Sequence, residues 1–237
     1  YIHTPWCVRK CPYCDFTSHT ASAELPEDAY VDALLADLDQ ELPAVYGRPI
    51  STIFIGGGTP SLFSADSYAQ LLQAIDRIVP IASDAEITLE ANPGTFELQK
   101  FRGFRAAGIN RLSVGVQSFN PQQLSALGRI HNRDEAIRAI GAAREVGFER
   151  LNIDLMHGLP QQSVSDALAD LQQAVDLQPS HLSWYQLTIE PNTLFYSKPP
   201  RLPDDELLWD IDQAGKQFIA ASGFNQYEIS AYARPGF

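Results

Sequence analysis

The chain has 237 residues, 45% of them hydrophobic, and a formal charge of −12 from 17 basic and 29 acidic side chains. That length and apolar content suit one globular domain, or slightly less than one full (β/α) barrel, and the acidic balance argues against a broad nucleic-acid surface, which needs clustered Lys and Arg. No apolar run approaches the roughly 18 residues a membrane span requires and no signal-peptide pattern opens the chain, so the reading is a cytoplasmic protein with no transmembrane segment.

Tyr1-Ile2-His3-Thr4 reads as the end of a first strand, and starting there without a methionine implies that the natural N-terminus is missing. The cysteine loop follows at once. Cys7, Cys11 and Cys14 are the only thiols of the chain, spaced C-x3-C-x2-C. A structural zinc site wants four protein ligands, and an iron–sulfur cube wants one thiolate per iron, normally four. Three is one short of either, and an incomplete set leaves a coordination position where a small molecule can bind and react. The competing readings are a disulfide with a stranded third thiol, a zinc site completed by His3 or His19, and unconnected buried cysteines. The last sits poorly with Arg9, Lys10 and Pro12.

Pro26-Glu27-Asp28 is an acidic, proline-led helix start. Tyr30, Val31, Leu34, Leu35, Leu38 and Leu42 follow at helical spacing, and Pro43 and Gly47 are expected to stop the helix. Thr52-Ile53-Phe54-Ile55 is a continuous apolar run, as for a parallel strand covered on both faces. It leads into Gly56-Gly57-Gly58-Thr59, where side-chain-free residues let a ligand approach the backbone, unless they only make a tight turn. Ser64 caps a second helix carrying Leu71, Leu72, Ile75, Ile78 and Val79.

Ile87-Thr88-Leu89-Glu90 is a third strand, and a carboxylate closing it is costly to bury without a partner. Glu90 therefore faces a ligand or a cation, unless it is a surface carboxylate. Thr95 is expected to start the next helix and Gly108 to end it. Arg102, Arg105 and Arg111 read as a solvated helix face rather than a basic patch. Arg111 to Ser118 is a fourth strand, with Gln117 polar at its end. Asn120-Pro121 starts a short helix that Gly128 closes, Arg129 and His131 lie in the loop after it, and Asn132 with Glu135 opens the next helix.

Leu151 to Gly158 is a fifth strand whose Asp154 needs a partner, and Ser163 opens the helix after it. His181 to Ile189 is a sixth strand, Asp204 to Ala221 a last helix, and Gln226 to Ser230 a last extended segment. Strict alternation predicts parallel strands with right-handed crossovers. The fold class is thus α/β, an open, partial (β/α)6 barrel. Polar or glycine residues recur at strand C-terminal ends: the cysteine loop, Gly57-Gly58-Thr59, Glu90, Gln117, Asp154 and Thr188. In barrels that rim is the active-site face.

The C-x3-C-x2-C loop resembles the cluster loop of the radical S-adenosylmethionine (SAM) superfamily. The resemblance implies a [4Fe-4S] cluster on Cys7, Cys11 and Cys14. SAM then chelates the fourth iron, and an electron from the cluster cleaves the sulfonium to a 5′-deoxyadenosyl radical. Tyr13 matches the aromatic position beside the adenine. Tyr1-Ile2-His3-Thr4-Pro5-Trp6-Cys7, Pro12-Tyr13-Cys14-Asp15-Phe16, Phe54 to Ser61, Glu90-Ala91-Asn92-Pro93-Gly94, Gly115 to Phe119, Asn152 to Met156 and Ser183 to Leu187 run in family order. Together they resemble the oxygen-independent coproporphyrinogen-III-oxidase group, most of all its HemW branch.

The true oxidases carry a fourth cysteine where this chain has Phe16, and HemW proteins lack it. The resemblance therefore implies a heme chaperone that binds heme and passes it to respiratory-chain acceptor proteins. It also implies an electron donor, and a cytoplasmic place that leaves peripheral contact with the inner membrane open. The alternative is an oxygen-independent coproporphyrinogen III dehydrogenase, and a structural zinc protein is a third reading.

By position, Tyr1, Tyr13, Gly57 and Glu90 match contacts to the cluster-bound SAM, and Gly58, Thr59, Gln117, Arg129 and Asp154 match contacts to a second SAM. Asp154 and Arg129 could instead form a rim ion pair. The same resemblance makes residues 1–237 a radical SAM core domain whose family C-terminal domain is absent. The family's heme-ligating His-Asn and Tyr-Trp segment would lie beyond it. Of the histidines present (His3, His19, His131, His157 and His181), none has a context that marks it as a heme ligand, so the chain is expected to hold heme weakly.

Overall fold

In the computed structural model every residue is described except 22–23, 46 and 96–97. Strand β1 (Ile2–Thr4) leads into the two-residue β2 (Trp6–Cys7), which pairs in parallel with β3 (His19–Thr20) across the cysteine loop. Then come α1 (Glu27–Val45), β4 (Ile50–Gly57), α2 (Ala65–Ile78), β5 (Ile81–Ala91), α3 (Leu98–Ala106) and β6 (Arg111–Gln117). After a short α4 (Pro121–Ala126) follow α5 (Arg133–Glu145), β7 (Arg150–His157), α6 (Val164–Asp176) and β8 (His181–Gln186). The chain continues through α7 (Leu194–Ser197), α8 (Asp205–Ala221), β9 (Asn225–Glu228) and β10 (Ala231–Ala233).

The main sheet runs in the order β1-β4-β5-β6-β7-β8-β10-β9. Its first six strands are parallel, the expected partial (β/α)6 barrel. The last two correct the expectation of an all-parallel sheet. β10 runs antiparallel to β8, and β9 antiparallel to β10, because a hairpin can reverse onto an edge without the long crossover a parallel strand needs. The hairpin covers the β8 edge of the open sheet.

Local signals placed most helices. Ser64 accepts from the Ser67 N–H, Asn120 from Gln122 and Gln123, and Asn132 with Glu135 forms a reciprocal capping box. Three boundaries differ from expectation. α1 runs through Pro43 to Val45, since the proline removes one N–H near the end of the helix, where little of the ladder remains. β8 ends at Gln186 rather than Ile189. Thr95 lies in a 3-10 turn, and α3 is assigned from Leu98; residues 96–97, where the expected helix start falls, lie outside the described residues. The three arginines do not form one helix face: Arg102 pairs with Glu145 at 3.6 Å, while Arg111 stands on β6 and pairs with Glu86 at 3.0 Å. No helix among the described residues is long and apolar enough to cross a membrane.

One large core fills the barrel wall, from Ile53 and Ile55 through Leu89, Leu112 and Ile153 to Trp184 and Ile211. A second, smaller cluster of Leu127, Met156, Leu159, Leu187 and Phe195 lies beneath Tyr13 at the C-terminal rim. Trp184 shows how tight the main core is. Its ring stacks on His157 at 4.1 Å between centroids, and a Cβ at Gly215 of α8 would lie 1.8 Å from the ring. Gly215→Ala should therefore force the buried indole or the helix to move. Urea denaturation should show a loss of about 1–3 kcal/mol, the usual cost of overpacking; an unchanged midpoint would contradict this packing.

Candidate functional site

The cysteine loop is rooted by backbone. Gly58 N–H donates to the Thr4 carbonyl at 2.8 Å, Thr59 N–H to Trp6 at 2.7 Å, and Ala21 N–H to Cys7 at 2.8 Å. Its outer half is held from the other side of the barrel mouth. Phe195 N–H donates to the Pro12 carbonyl at 2.9 Å, and Arg9 donates to the carbonyls of Gly128 and Arg129. The three thiols are free, and all of them line one cavity of about 610 Å³ at the C-terminal ends of the parallel strands.

Tyr13, Gly57, Gly58, Thr59, Glu90, Gln117, Arg129 and Asp154 line the same cavity. Tyr1 is the one candidate outside that lining. It is 75% exposed, stacks on Phe54 and accepts from or donates to His3 Nδ1 at 3.0 Å. Its ring edge and Glu90 Oε2 nevertheless both border the position of a Gly56 Cβ, at 3.1 Å each. Tyr1 thus stands beside the carboxylate, below the cavity proper.

Four carboxylates line the cavity, Asp15, Glu90, Asp154 and Glu190, and two of them, Glu90 and Asp154, stand on barrel strands. Glu90 accepts one bond, from the Gly57 N–H at 3.2 Å. Burial, with the charge of Asp154 second, pushes its carboxyl up to about 7. Asp154 is better held. Ser113 Oγ donates to it at 2.9 Å and Asn152 Nδ2 at 2.7 Å, while the same amide also reaches Ser113 and Ser183. Burial raises the Asp154 carboxyl, and the bonds from Ser183, Ser113 and Asn152 pull against that. Among the described residues neither carboxylate makes an ion pair.

The rim pair of Asp154 with Arg129 is therefore not formed. Arg129 instead donates from Nη2 to the Gly115 carbonyl at 2.6 Å and from Nη1 to Cys11 Sγ at 3.5 Å. Burial works against its charge, but Tyr13 and Cys11 beside it outweigh that, so the guanidinium is held more firmly protonated than usual. Gln117 adopts a left-handed backbone, φ 70°, which aims its amide into the cavity, where Oε1 accepts from Tyr185 O–H at 2.7 Å.

The zinc reading completed by His3 meets a ring that already has partners. His3 is occupied by Tyr1 and by the Thr17 carbonyl at 2.8 Å. Among the described residues no group of three His, Cys, Asp or Glu side chains is gathered closely enough to hold one metal ion. Three thiols spread around a cavity fit a larger group, whose sulfur ligands stand at separate corners. SAM suits the rest of the lining: it carries an amino group and a sulfonium, and the carboxylates of the lining, Glu90 and Asp154 among them, make no ion pair among the described residues.

Sequence reasoning missed Ser113, Asn152, Ser183 and Tyr185, all of which bond within this network, and all but Asn152 line the cavity. The signal was there in the period of two that sets strand faces. Ser113 shares a face with Gly115, Asn152 with Asp154, and Ser183 with Tyr185. No histidine is among the lining residues. His131, His157 and His181 are buried, and burial pushes each down to about 4.

The sequence pattern of the Radical SAM superfamily matches residues 1–174. The chain is 57% identical over its full length to a protein named heme chaperone HemW from Escherichia coli, and 37% to the one from Bacillus subtilis. It is 36% identical to radical S-adenosyl methionine domain-containing protein 1, mitochondrial, of Mus musculus. It spans 63% of the length of each of those two HemW relatives and 54% of the mouse protein. Among solved structures it superposes on coproporphyrinogen III oxidase (HemN) from Escherichia coli with a TM-score of 0.91 at 30% identity, covering 100% of this chain and 55% of that one.

The seam between the cysteine loop and the glycine loop gives a direct test. A Cβ at Gly58 would lie 2.6 Å from the Trp6 carbonyl oxygen and 2.8 Å from the Pro5 carbonyl carbon, both backbone atoms that cannot turn aside. Gly58→Ala should cost about 1–3 kcal/mol of stability and reduce iron uptake on anaerobic reconstitution at least severalfold. Parent-like iron content at parent-like stability would contradict this reading of the seam.

Proposed function

The chain belongs to the radical SAM superfamily, and from that premise we propose that residues 1–237 are the cluster- and SAM-binding core of a heme chaperone of the HemW kind. Cys7, Cys11 and Cys14 would hold a [4Fe-4S] cluster, and such a cluster supplies one-electron reducing power and an iron with an open position. The residues around it do the binding. Glu90 and the Gly57 backbone accept N–H bonds from the amino group of SAM, which binds the iron as the neutral amine, Tyr1 flanks that carboxylate, and Tyr13 closes over the base. Gly58, Thr59, Gln117, Arg129 and Asp154 form the deeper polar wall, suited to a second SAM or to the remainder of the first.

Phe16 carries the choice of branch. The position where the oxidases place a fourth cysteine is here an apolar ring, 60% exposed at the cavity mouth beside Asp15. The 57% identity to a protein named heme chaperone supports the same choice. Heme, heme-acceptor proteins of the respiratory chain and an electron donor are the partners this reading requires, in the cytoplasm. The rival reading, a coproporphyrinogen III dehydrogenase, draws on the close superposition with HemN. An anaerobic assay of the SAM-loaded protein with coproporphyrinogen III should yield no protoporphyrinogen; turnover would overturn the chaperone reading.

With no histidine in the cavity lining, residues 1–237 by themselves should hold heme only weakly. In a spectroscopic titration, heme should be displaced readily by apomyoglobin; stoichiometric uptake that resists it would contradict this.

Glu90 adds a pH dependence. Its carboxyl takes up a proton as pH falls through about 7, whereas a bound cation keeps it ionised, so binding below that pH must expel a proton. SAM affinity should fall with decreasing pH by up to about tenfold per unit and level off above the transition. Glu90→Gln should bind more weakly at high pH and show a shallower slope, that of the SAM amino group alone. Calorimetry across that range would test it, and a parent slope retained in the variant would contradict the assignment.

A further inference from the structure

Resting on the cluster reading above, we infer that Arg129 sets the reduction potential of the cluster, by donating a charged N–H to the sulfur of Cys11. The contact joins residues 118 positions apart and is built rather than incidental. Nη2 is pinned on the Gly115 carbonyl at 2.6 Å, which orients the guanidinium plane so that Nη1 reaches Cys11 Sγ at 3.5 Å. The backbone is pinned as well. Arg129 N–H donates to Leu124 at 2.9 Å, its carbonyl accepts from Arg9, and left-handed Gly128 before it packs on Pro12 of the cysteine loop.

The physical effect has a sign. An electron entering an iron–sulfur cluster spreads onto the sulfur ligands, and hydrogen bonds and positive charge at those sulfurs favour the reduced form. A guanidinium fixed inside the barrel acts through a poorer dielectric than water, and a charge-assisted bond is roughly twice as strong as a neutral one. The opposing charges, Glu90 and Asp154, stand on the strands either side of β6, make no ion pair among the described residues, and bond to Gly57 and to Ser113 and Asn152. Among the described residues Arg129 is thus the cation hydrogen-bonded to the sulfur of a cluster-loop cysteine. Lysine cannot span Gly115 and Cys11 in this way, because it has one donor group and no planar fork.

The test is a redox titration of anaerobically reconstituted protein without SAM, followed by EPR. Arg129→Gln should lower the midpoint enough to change the reduced-to-oxidised ratio at least tenfold at a fixed poise, about 59 mV for a one-electron couple. Arg129→Lys should fall between the two. A smaller shift than that in an Arg129→Gln protein holding its full iron would overturn the inference. A parent protein that takes up no cluster would instead overturn the reading it rests on.

Should neither variant hold iron, the parent decides. With guanidinium-¹⁵N arginine, pulsed EPR of the reduced cluster should show a ¹⁵N coupling that survives in an Arg9→Lys background. Its absence would overturn the inference.

Discussion

Everything at the barrel mouth depends on one close backbone contact, where Gly58 passes beneath the Trp6 carbonyl. The space a Cβ would fill there is already taken, at 2.6 Å. Because that space is free of side chain, Gly58 and Thr59 can donate to the carbonyls of Thr4 and Trp6, extending the parallel β1–β4 ladder past the end of β1. Cys7, at the end of β2, is thereby rooted to the sheet rather than to a free loop. The other two thiols reach the cavity because Phe195 and Arg9 tie the loop's far half to the opposite rim. A glycine chosen for close approach thus fixes three sulfurs relative to six strands.

The cavity that results holds charges of both signs. Arg129 bonds to the cysteine loop, and Glu90 and Asp154, on the strands either side of β6, make no ion pair among the described residues. Unpaired carboxylates inside a barrel are unfavourable for folding, and the rise of Glu90 to about 7 expresses that strain. The Ser113, Asn152 and Ser183 network limits it for Asp154 by supplying donors from three adjacent strands. On the proposed reading, the sulfonium of SAM would relieve part of what remains.

Residues that act through their neighbours in sequence were legible, and those that act across the fold were not. Asn132 with Glu135 and Asn120 with Pro121 mark helix starts because capping is decided within four residues. Glu90, Gln117 and Asp154 stood out because each is polar in an apolar strand, and burial of such groups requires a reason. Ser113, Asn152 and Ser183 did not, since a small polar residue serves either face of a strand until the inward face is known. β10 escaped because Ala231-Tyr232-Ala233 is too short to show a period. The alternative of a rim pair between Asp154 and Arg129 is not formed, because the Gly115 carbonyl and Cys11 hold the guanidinium instead.

The central claim is that three thiolates leave one iron open and that this iron takes SAM directly. Electron–nuclear double resonance on the reduced, reconstituted protein tests it, using SAM labelled with ¹⁷O in the carboxylate or ¹⁵N at the amino group. Strong coupling from both labels is the predicted result. A cluster that forms in full yet shows neither coupling, or a protein that takes up a single zinc ion in place of a cluster, would contradict the account.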